Sequence, residues 1–286
     1  MTFFNQNTVW LCSDLHYTIF RKGKRVIFAP DEELKKHQRY LKKALNWTYP
    51  LKMSILNSAK IHCGKKWVLK TDIKNFYESV PYEFIEKVVR NACKRIKLAD
   101  INFYLMISTV DKKLPTGAAT SAHIANACFK PVDERIKNYC KTFGINYSRY
   151  MDDMTFSCDE KIYLNMVEEF LDKTLAEFGF SLNKKKTRYI SRNKRQEVLG
   201  LVVNNDKAGL SKDFKRKIRA MVHSYCIFKT CGAKAVDLKY RAWGNPQIQR
   251  LMGYLSYIKS VDKEFYIKLE KYAQKLGIDI KSPYYF

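Results

Sequence analysis

Residues 145–158 read INYSRYMDDMTFSC, two short runs of β-forming residues on either side of two adjacent aspartates. This arrangement predicts a tight β-hairpin that carries Asp152 and Asp153 at its tip. Adjacent carboxylates repel each other, so a cation beside them would explain the pair, and divalent ions prefer carboxylate oxygens. A solvated turn, in which aspartate is also favoured, is the alternative. Alone, the hairpin only suggests a metal site.

A third aspartate ends a second predicted strand. Residues 67–73 read WVLKTDI and alternate as a strand does, and the residues that follow change to helix-like character. Because Asp72 lies at the C-terminal edge of this strand, it can reach the tip of a neighbouring hairpin. Three carboxylates from two strands would suit two Mg²⁺ ions, which activate a 3′-hydroxyl and neutralise a leaving pyrophosphate. Taken alone, Asp72 has a helix N-cap as its alternative role.

A segment of small residues lies between these two elements. Residues 114–126 read LPTGAATSAHIAN, and their small side chains leave the backbone open to a nucleotide or a template. An ordinary loop that leads into a helix is the alternative. The pattern also predicts a helix over residues 120–139, with Thr120 or Ser121 as its cap.

The N-terminal pattern predicts a hairpin followed by a helix. Residues 17–28 read as two β-rich runs around a Lys-Gly-Lys turn, and Pro30 ends the second run. Asp31 would then cap a helix that extends to about Trp47. Together with the elements above, this predicts an α+β body.

The C-terminal half is predicted to be mostly helical. Residues 197–204, EVLGLVVN, predict one more strand, and from Ser211 onward the apolar residues follow helical spacing. A helix is also predicted directly after the YMDD hairpin, with Gly179 as its C-cap. The side chains expected on its inward face are Ile162, Met166, Phe170 and Phe178.

The composition points to a polyanionic partner. The 286 residues include 53 Lys and Arg against 28 Asp and Glu, a formal net charge of +25. Such a surplus favours nucleic acid first and an anionic membrane surface second. Apolar residues, at 46%, argue against disorder. No stretch approaches the run of about 18 apolar residues that a membrane-spanning helix needs.

The cysteines and the N-terminus bear on the compartment. The eight cysteines show no CxxC pairing, and the first residues lack the basic start and apolar core of a signal peptide. Scattered cysteines suit a reducing environment. We therefore expect a cytoplasmic protein without a membrane partner.

Taken in order, these motifs resemble those of reverse transcriptases, and among them the bacterial retron-type enzymes. The resemblance runs from about residue 17 to about residue 272. KRVIFAPDEELKKHQRYL resembles the first fingers block, VLKTDIKNFYESV motif A, LPTGAATSAHIAN motif B, YMDD motif C and GFSLNKKKTR motif D. RQEVLGLVVNN and RLMGYLSYIKS resemble the retron segment after motif D and the thumb. Several ordered motifs are far more specific than any one of them.

The resemblance implies the fold of a right-hand polymerase. Residues 1–66 would form the first part of the fingers. Residues 67–205 would form the palm, an antiparallel sheet bearing the YMDD hairpin, with the remaining fingers segment at about 80–118. Residues 206–286 would form a short helical thumb that binds RNA.

The resemblance also implies the catalytic residues. Asp72, Asp152 and Asp153 would form the metal-binding triad for two Mg²⁺ ions, with the carbonyl of Ile73 as a possible extra ligand. Lys186 would be the motif D lysine, a general acid near the pyrophosphate. Two further lysines directly before it leave this assignment open by a residue or two.

Residues that would contact the incoming dNTP follow in the same way. Tyr77, five residues after Asp72, would be the steric gate that excludes a ribose 2′-hydroxyl, with a core aromatic as the alternative. The other implied contacts are Lys22, Arg25, Thr116 and Gly117. For the two basic residues, a solvated turn is the alternative.

The C-terminal region would hold nucleic acid. Lysines and arginines contact phosphates, and aromatic side chains stack on exposed bases. A merely solvated face is the usual alternative for a charge run, but few acidic residues compensate here. The residues expected to bind are Lys212, Lys215, Arg216, Arg219, Tyr225, Arg241 and Trp243.

Several positions depart from the pattern of the family. Thr116 stands where glutamine is usual, Ala119 where proline is usual, and Met151 where retron enzymes commonly have alanine. The retron Asn-Ala-x-x-His block is represented by SAKIH at residues 58–62, and its Val-Thr-Gly motif by VLG at residues 198–200. The last two changes concern RNA recognition more than chemistry.

If the retron resemblance holds, the enzyme copies a cognate structured non-coding RNA into single-stranded DNA that remains linked to RNA. It would use dNTPs and act in anti-phage defence with a separate effector protein. An abortive-infection or other defence-associated reverse transcriptase with untemplated synthesis is one alternative, which Thr116 keeps open. A catalytically idle RNA-binding scaffold is another, although three carboxylates facing a polyanion argue against it.

Overall fold

The computed structural model describes residues 3–5, 8–23, 25–50, 54–95, 100–231 and 245–280. The chain divides into two units, Met1–Lys194 and Arg195–Phe286. Each unit is described by itself below. The division does not coincide with the predicted limits of fingers, palm and thumb, which stay predictions.

The first unit begins with an antiparallel sheet of four strands in sequence order. The strands are β1 (Phe3–Asn5), β2 (Thr8–Trp10), β3 (His16–Lys22) and β4 (Arg25–Pro30). Strands β3 and β4 pair from Tyr17 opposite Pro30 to Lys22 opposite Arg25, which confirms the predicted hairpin.

The predicted cap of the first helix is also confirmed. Helix α1 (Glu32–Thr48) begins after Asp31, whose carboxylate accepts a hydrogen bond from the Leu34 N–H at 2.8 Å. Asp31 also accepts from the His16 N–H at 2.7 Å, so one side chain joins the helix to β3. A cap of this kind stabilises a helix by about 1 kcal/mol.

A second antiparallel sheet forms the centre of the first unit, in the order β6-β7-β5-β8. Its strands are β5 (Trp67–Asp72), β6 (Asn146–Tyr150), β7 (Asp153–Cys158) and β8 (Arg188–Ser191). Strand β5 pairs with both β7 and β8, so it is an inner strand. Val68, Leu69, Thr71 and Asp72 of this strand are buried.

Helices pack around this sheet and enclose a continuous apolar core. They are α2 (Ile55–Lys60), α3 (Tyr82–Arg95), α4 (Ile101–Met106), α5 (Ser121–Cys128), α6 (Lys130–Thr142) and α7 (Lys161–Glu177). Leu69 and Phe156 of the sheet share the core with Ile124, Phe129 and Leu171 of the helices. Burial of such side chains is the main source of stability in a domain of this size.

The helix predicted over residues 120–139 is wrong in detail. The chain forms α5 and α6 in succession, with Phe129 between them. Pro131 lies in the first turn of α6. Proline is favoured there because the N–H groups of the first turn have no partner within the helix, so the N–H that proline lacks is not missed. The predicted capping bond is absent as well, because the Ser121 hydroxyl donates to the Pro115 carbonyl at 2.7 Å instead.

The predicted inward face of α7 is wrong by one position. Ile162 is 60% exposed, and the fully buried side chains are Leu164, Val167, Leu171 and Leu175. The helix begins only at Lys161, so Ile162 lies in the solvated first turn. Met166, Phe170 and Phe178 lie at the edge of the buried face and are half-buried. Gly179 ends the helix at φ +79°, as predicted.

In its described residues, 195–231 and 245–280, the second unit contains a small hairpin and three helices. Its elements are β9 (Glu197–Val198), β10 (Leu201–Val202), α8 (Lys212–Cys231), α9 (Asn245–Val261) and α10 (Lys263–Lys275). The single strand predicted at residues 197–204 is wrong. Leu199 and Gly200 both have positive φ, of 50° and 85°, so the chain reverses in a two-residue turn.

The two units together contain helices and antiparallel sheets, so the α+β prediction is confirmed. No helix in the part of the chain that the structure describes is long and apolar enough to span a membrane.

Candidate active site

The YMDD hairpin turns on two residues. Tyr150 pairs with Asp153 across β6 and β7, which leaves Met151 and Asp152 as the turn. Asp153 is therefore the first residue of β7, whereas the sequence predicted both aspartates at the tip. Met151 has φ 56°, a left-handed conformation that is uncommon for a residue with a long side chain.

The strand register brings the third aspartate to the same place. Asp72, the last residue of β5, lies directly opposite Asp153 on β7. The next residue, Ile73, donates its N–H to the carbonyl oxygen of Asp152 at 3.0 Å. The three aspartates predicted to act together therefore occupy neighbouring backbone positions at one end of the sheet.

Asp72 is held from the segment after α7. Its side chain is buried, at 5% exposure, and its Oδ2 accepts a bond from Lys186 Nζ at 2.8 Å. Asn183 donates its backbone N–H to the Asp72 carbonyl at 2.7 Å. Lys184 points elsewhere, since its Nζ lies 2.7 Å from Asp172. Of Lys184 and Lys186, only Lys186 contacts Asp72.

The surroundings of the turn disfavour the ionised form of the Asp152 carboxyl. Burial raises the pKa of this carboxyl, and repulsion from Asp72 and then Asp153 raises it further. The pKa of the half-buried Tyr77 is also raised, by burial first and then by Asp152, while Arg25 lowers it. Tyr77 and Arg25 therefore lie within electrostatic reach of the turn and of each other.

A buried arginine supports the turn from behind. Arg149 is only 4% exposed, and its Nη1 donates to the Met151 carbonyl at 2.8 Å. Its Nη2 donates to Asn126 Oδ1 at 2.8 Å, and its Nε to Asp133 Oδ1 at 2.9 Å. The guanidinium also lies 4.5 Å from the ring centre of Phe129. Met151 is thereby tied to α5 and α6.

The role of Arg149 was not predicted from the sequence. A charged residue inside a short strand next to a carboxylate motif is a usable signal, because a buried arginine needs an acidic partner. That partner, Asp133, lies sixteen positions away on a helix, and only the fold brings the two together.

The small-residue segment packs against the first sheet. The Phe28 N–H donates to the Thr116 carbonyl at 2.8 Å. Gly117 has φ +117°, and a Cβ there would lie 2.6 Å from the Phe28 carbonyl oxygen. Gln38 Oε1 accepts from the Ala119 N–H at 3.1 Å. The lack of side chains thus admits a neighbouring strand of the protein itself, where the sequence suggested a nucleotide or template.

Lys22 and Arg25 face each other across the tip of the β3–β4 hairpin, and both are exposed. Neither is within ion-pair distance of a carboxylate in the described ranges. Both side chains are thus accessible to an anion, as expected for residues that hold a triphosphate.

The residues of the second unit that were expected to contact nucleic acid differ in their exposure. Lys212, Arg216 and Arg219 are exposed on α8, and Lys215 pairs with Asp262 at 2.6 Å. Tyr225 is buried, at 2% exposure, so its ring is not presented for stacking and the expectation for it is wrong. Arg241 and Trp243 lie outside the described residues.

The block at residues 58–62 has a structural role at its last position. His62 is fully buried, with Nδ1 2.7 Å from Ser157 Oγ and Nε2 2.9 Å from Ser148 Oγ. Burial lowers its pKa to about 3. This ring therefore joins the end of α2 to β6 and β7 and does not reach the surface to contact RNA.

The donor set at the turn fits hard divalent cations. Within the described residues, no three His, Cys, Asp or Glu side chains converge as a ready-made metal centre. Lys186 instead places its ammonium against Asp72 Oδ2, the position of a cation. Three carboxylates against this single ammonium leave a surplus of negative charge, which adds to the effect of burial in raising the pKa of Asp152. Cations would relieve that repulsion.

A central antiparallel sheet with carboxylates at one end, enclosed by helices and preceded by a hairpin sheet, defines a right-hand nucleic-acid polymerase. Solved structures support the fold. The foamy viral protease–reverse transcriptase in complex with double-stranded DNA aligns with a TM-score of 0.52 at 17% identity, over 91% of this chain and 42% of that one. Telomerase from Candida albicans aligns with a TM-score of 0.50 at 12% identity, over 91% and 59%.

Curated relatives are retron enzymes. The retron Ec86 reverse transcriptase of Escherichia coli is 28% identical over 91% of this chain and 80% of its own. The retron Mx65 reverse transcriptase of Myxococcus xanthus is 29% identical over 87% and 62%.

Residues 17–203 match the family described as Reverse transcriptase (RNA-dependent DNA polymerase). The chain belongs to this family and is an RNA-directed DNA polymerase. Enzymes of this family generally depend on divalent metal ions, and the relatives work on nucleic acid, in agreement with the donor set and the charge found here.

Proposed function

We propose that the chain is the reverse transcriptase of a retron, which copies a structured non-coding RNA into single-stranded DNA that remains linked to RNA. The observation that carries this proposal is the register that sets Asp72 opposite Asp153, next to the Asp152 turn. Similarity to retron enzymes over about nine-tenths of the chain supports the choice within the family.

In the proposed reaction, the terminal hydroxyl of the primer attacks the α-phosphorus of a dNTP. A phosphodiester bond forms, the bond from the α-phosphorus to pyrophosphate breaks, and the proton of the hydroxyl passes to water. Two Mg²⁺ ions held by the three aspartates, with the Ile73 carbonyl as an extra ligand, would lower the pKa of the attacking hydroxyl and neutralise the leaving group.

The remaining side chains of the site have proposed roles of their own. Lys186, whose Nζ already lies at the aspartates, gives a proton to the leaving pyrophosphate. Tyr77 stands beside the turn as the steric gate against a 2′-hydroxyl. Lys22 and Arg25 hold the triphosphate from the hairpin tip, and Thr116 and Gly117 border the same space.

The wider proposal concerns partners and setting. The exposed basic residues of α8 would hold the cognate RNA and its DNA product, with residues 206–286 as thumb and residues 1–66 and about 80–118 as fingers around the palm. The enzyme would act in the cytoplasm, in anti-phage defence, together with a separate effector protein.

The experiment is to purify the protein from its native locus and to extract the nucleic acid that accompanies it. Digestion with RNase or DNase should reveal one discrete DNA species joined to RNA. The Asp152→Ala/Asp153→Ala variant should lack it, and Asp159→Ala, which changes an exposed carboxylate at the other end of β7, should retain it.

The opposite results are equally clear. Heterogeneous DNA with no RNA template would contradict the retron proposal. RNA alone in both the wild type and the double variant would contradict DNA synthesis altogether.

A further inference from the structure

The exposed face of α1 carries two large aromatic side chains. Trp47 is 74% exposed, the highest value among the large apolar side chains that the structure describes, and Tyr40 is 59% exposed. They lie seven positions apart, and Lys43 lies between them, so all three share one side of the helix. The opposite side holds the helix in the core through Leu34 and Leu41.

Among the described residues, neither ring belongs to the side chains that form or pack against the two apolar clusters of the first unit. An exposed tryptophan keeps a large apolar surface in water, and aromatic residues exposed in this way are typical of interaction sites. Two cations, Arg39 and Lys43, lie one turn apart beside the rings and are exposed. Lys42 is exposed as well, but it is two positions from Tyr40 and therefore lies on another side of the helix. The Lys43 ammonium lies 5.5 Å from the centre of the Tyr40 ring.

The charge on this face is of one sign. No aspartate or glutamate occurs between Leu34 and Pro50. Arg39, Lys42 and Lys43 are not within ion-pair distance of any carboxylate in the described ranges. The acidic Glu32 and Glu33 lie in the first turn, where they pair with Lys35 and Lys36.

The basic character continues where the helix ends. Thr48, Tyr49 and Pro50 line an open cleft that Lys130 and Lys137 of α6 also border. Of the acidic residues in this cleft, Asp133 is neutralised by Arg149, and Glu134 lies 3.9 Å from Lys130.

We infer that this face of α1, defined by Arg39, Tyr40, Lys43 and Trp47, is a docking surface for single-stranded nucleic acid. Unpaired bases stack on the two aromatic rings, and the two cations contact the phosphates. A protein partner would be expected to bring acidic side chains to this face, whereas a single strand supplies both its anions and its flat apolar rings. The inference rests on the proposed polymerase function, because the enzyme must handle unpaired template or product.

The test measures binding of fluorescein-labelled, unstructured pyrimidine oligonucleotides, as RNA and as DNA, to the full chain by fluorescence anisotropy. The titrations run at about 0.3 M salt, where non-specific phosphate contacts are weak. Trp47→Ala should weaken binding about tenfold, while Trp47→Phe, which keeps a ring, should recover most of the loss. In titrations repeated over a range of salt concentrations, Arg39→Gln/Lys43→Gln should lower the salt slope by about 1.4.

A matched control and a direct map complete the test. Ile162→Ala removes another exposed apolar side chain, on α7, and should leave the affinity unchanged. Cross-linking of a 5-bromouridine oligonucleotide, followed by mass spectrometry, should mark peptides that contain Tyr40 or Trp47. Blunt duplex of the same length should compete poorly, since its bases are already stacked.

The inference is overturned if Trp47→Ala and Tyr40→Ala bind as the wild type does, or if no cross-link falls on a peptide that contains Tyr40 or Trp47. Failure of the polymerase proposal is a separate result. An Asp152→Asn protein that binds the oligonucleotide normally and makes no DNA separates the two, because the face and the aspartates are altered independently. Thermal unfolding of each variant verifies that it is folded.

Discussion

Arg149 Nη1 donates a hydrogen bond to the carbonyl oxygen of Met151 at 2.8 Å, two residues along the same hairpin. This bond holds the one residue of the turn that has a left-handed backbone. Because Asp152 follows directly, the position of its carboxylate depends on a guanidinium that is buried behind the turn and bonded to Met151, Asn126 and Asp133. Arg149 is therefore a positioning residue.

Arg149→Lys keeps the positive charge and removes the planar fork. Lysine cannot contact Met151, Asn126 and Asp133 together. We expect kcat for DNA synthesis to fall by about 100-fold, as misplacement of a catalytic group by about 1 Å commonly does, with a smaller change in KM for dNTP. Steady-state kinetics give both values. Arg135→Lys, at an exposed ion pair with Glu177, is the matched control and should change neither. A fall in stability with kcat unchanged would show that Arg149 serves only the fold.

Lys186→Ala should slow catalysis, whereas Lys185→Ala should not. Only Lys186 reaches Asp72, and loss of a general acid lowers the rate by about 100-fold or more. Single-turnover extension of a primed RNA template measures the chemical step directly. Equal rates for the two variants would show that Lys186 is not the general acid.

Asp152→Asn should abolish synthesis without loss of stability. The folded state disfavours the Asp152 charge, through burial and through repulsion from Asp72 and Asp153. A neutral side chain of the same shape removes that repulsion, so we expect a Tm equal to or above that of the wild type. Differential scanning fluorimetry provides the Tm, and a clear decrease would mean that the carboxylate has a structural partner.

Gly117→Ala should destabilise the first unit. The new Cβ would lie 2.6 Å from a backbone oxygen of Phe28, at a φ of +117° that side chains rarely adopt. We expect a loss of about 2–6 kcal/mol, since strain and overpacking each cost about 1–3 kcal/mol. Gly144→Ala has positive φ and no atom within 4 Å, so it isolates the backbone cost, about 1 kcal/mol. Urea unfolding of the two variants compares them, and equal losses would exclude the clash.

His62 should make the stability of the protein depend on pH below neutrality. Its pKa falls from 6.5 to about 3 on burial, so the unfolded chain binds the proton more readily. The contribution is complete above pH 6.5 and is lost as the pH falls towards 3, by about 2 kcal/mol at pH 5.

His62→Gln removes this dependence. Urea midpoints at pH 7 and pH 5 should differ less in the variant than in the wild type. His123, whose pKa burial lowers to about 4, acts in the same direction in both proteins and cancels in the comparison. An unchanged difference between the two midpoints would exclude His62 as the cause.

Much of the site could be predicted from the sequence because its motifs are local. The Asp31 cap, the β3–β4 hairpin and the YMDD hairpin each depend on residues within a few positions of one another. The three aspartates could also be predicted to act together, since Asp72 ends a strand with clear alternation and Asp152 and Asp153 lie at or beside the turn of a hairpin. Errors arose where the periodicity was ambiguous, as at Ile162, or where a two-residue turn interrupted an apolar run, as at Leu199 and Gly200.

The sequence by itself determined the family, the three aspartates and the basic character, because each of these depends on residue types and on motifs with short or ordered spacing. Only the tertiary structure decided that Lys186 is the lysine at Asp72, that His62 and Tyr225 are buried, and that Gly117 faces the backbone of Phe28. These facts depend on contacts between residues 86 to 114 positions apart or on burial among several elements. Side-chain spacing along the chain carries no information about such contacts until the register of the strands and the packing of the helices are set.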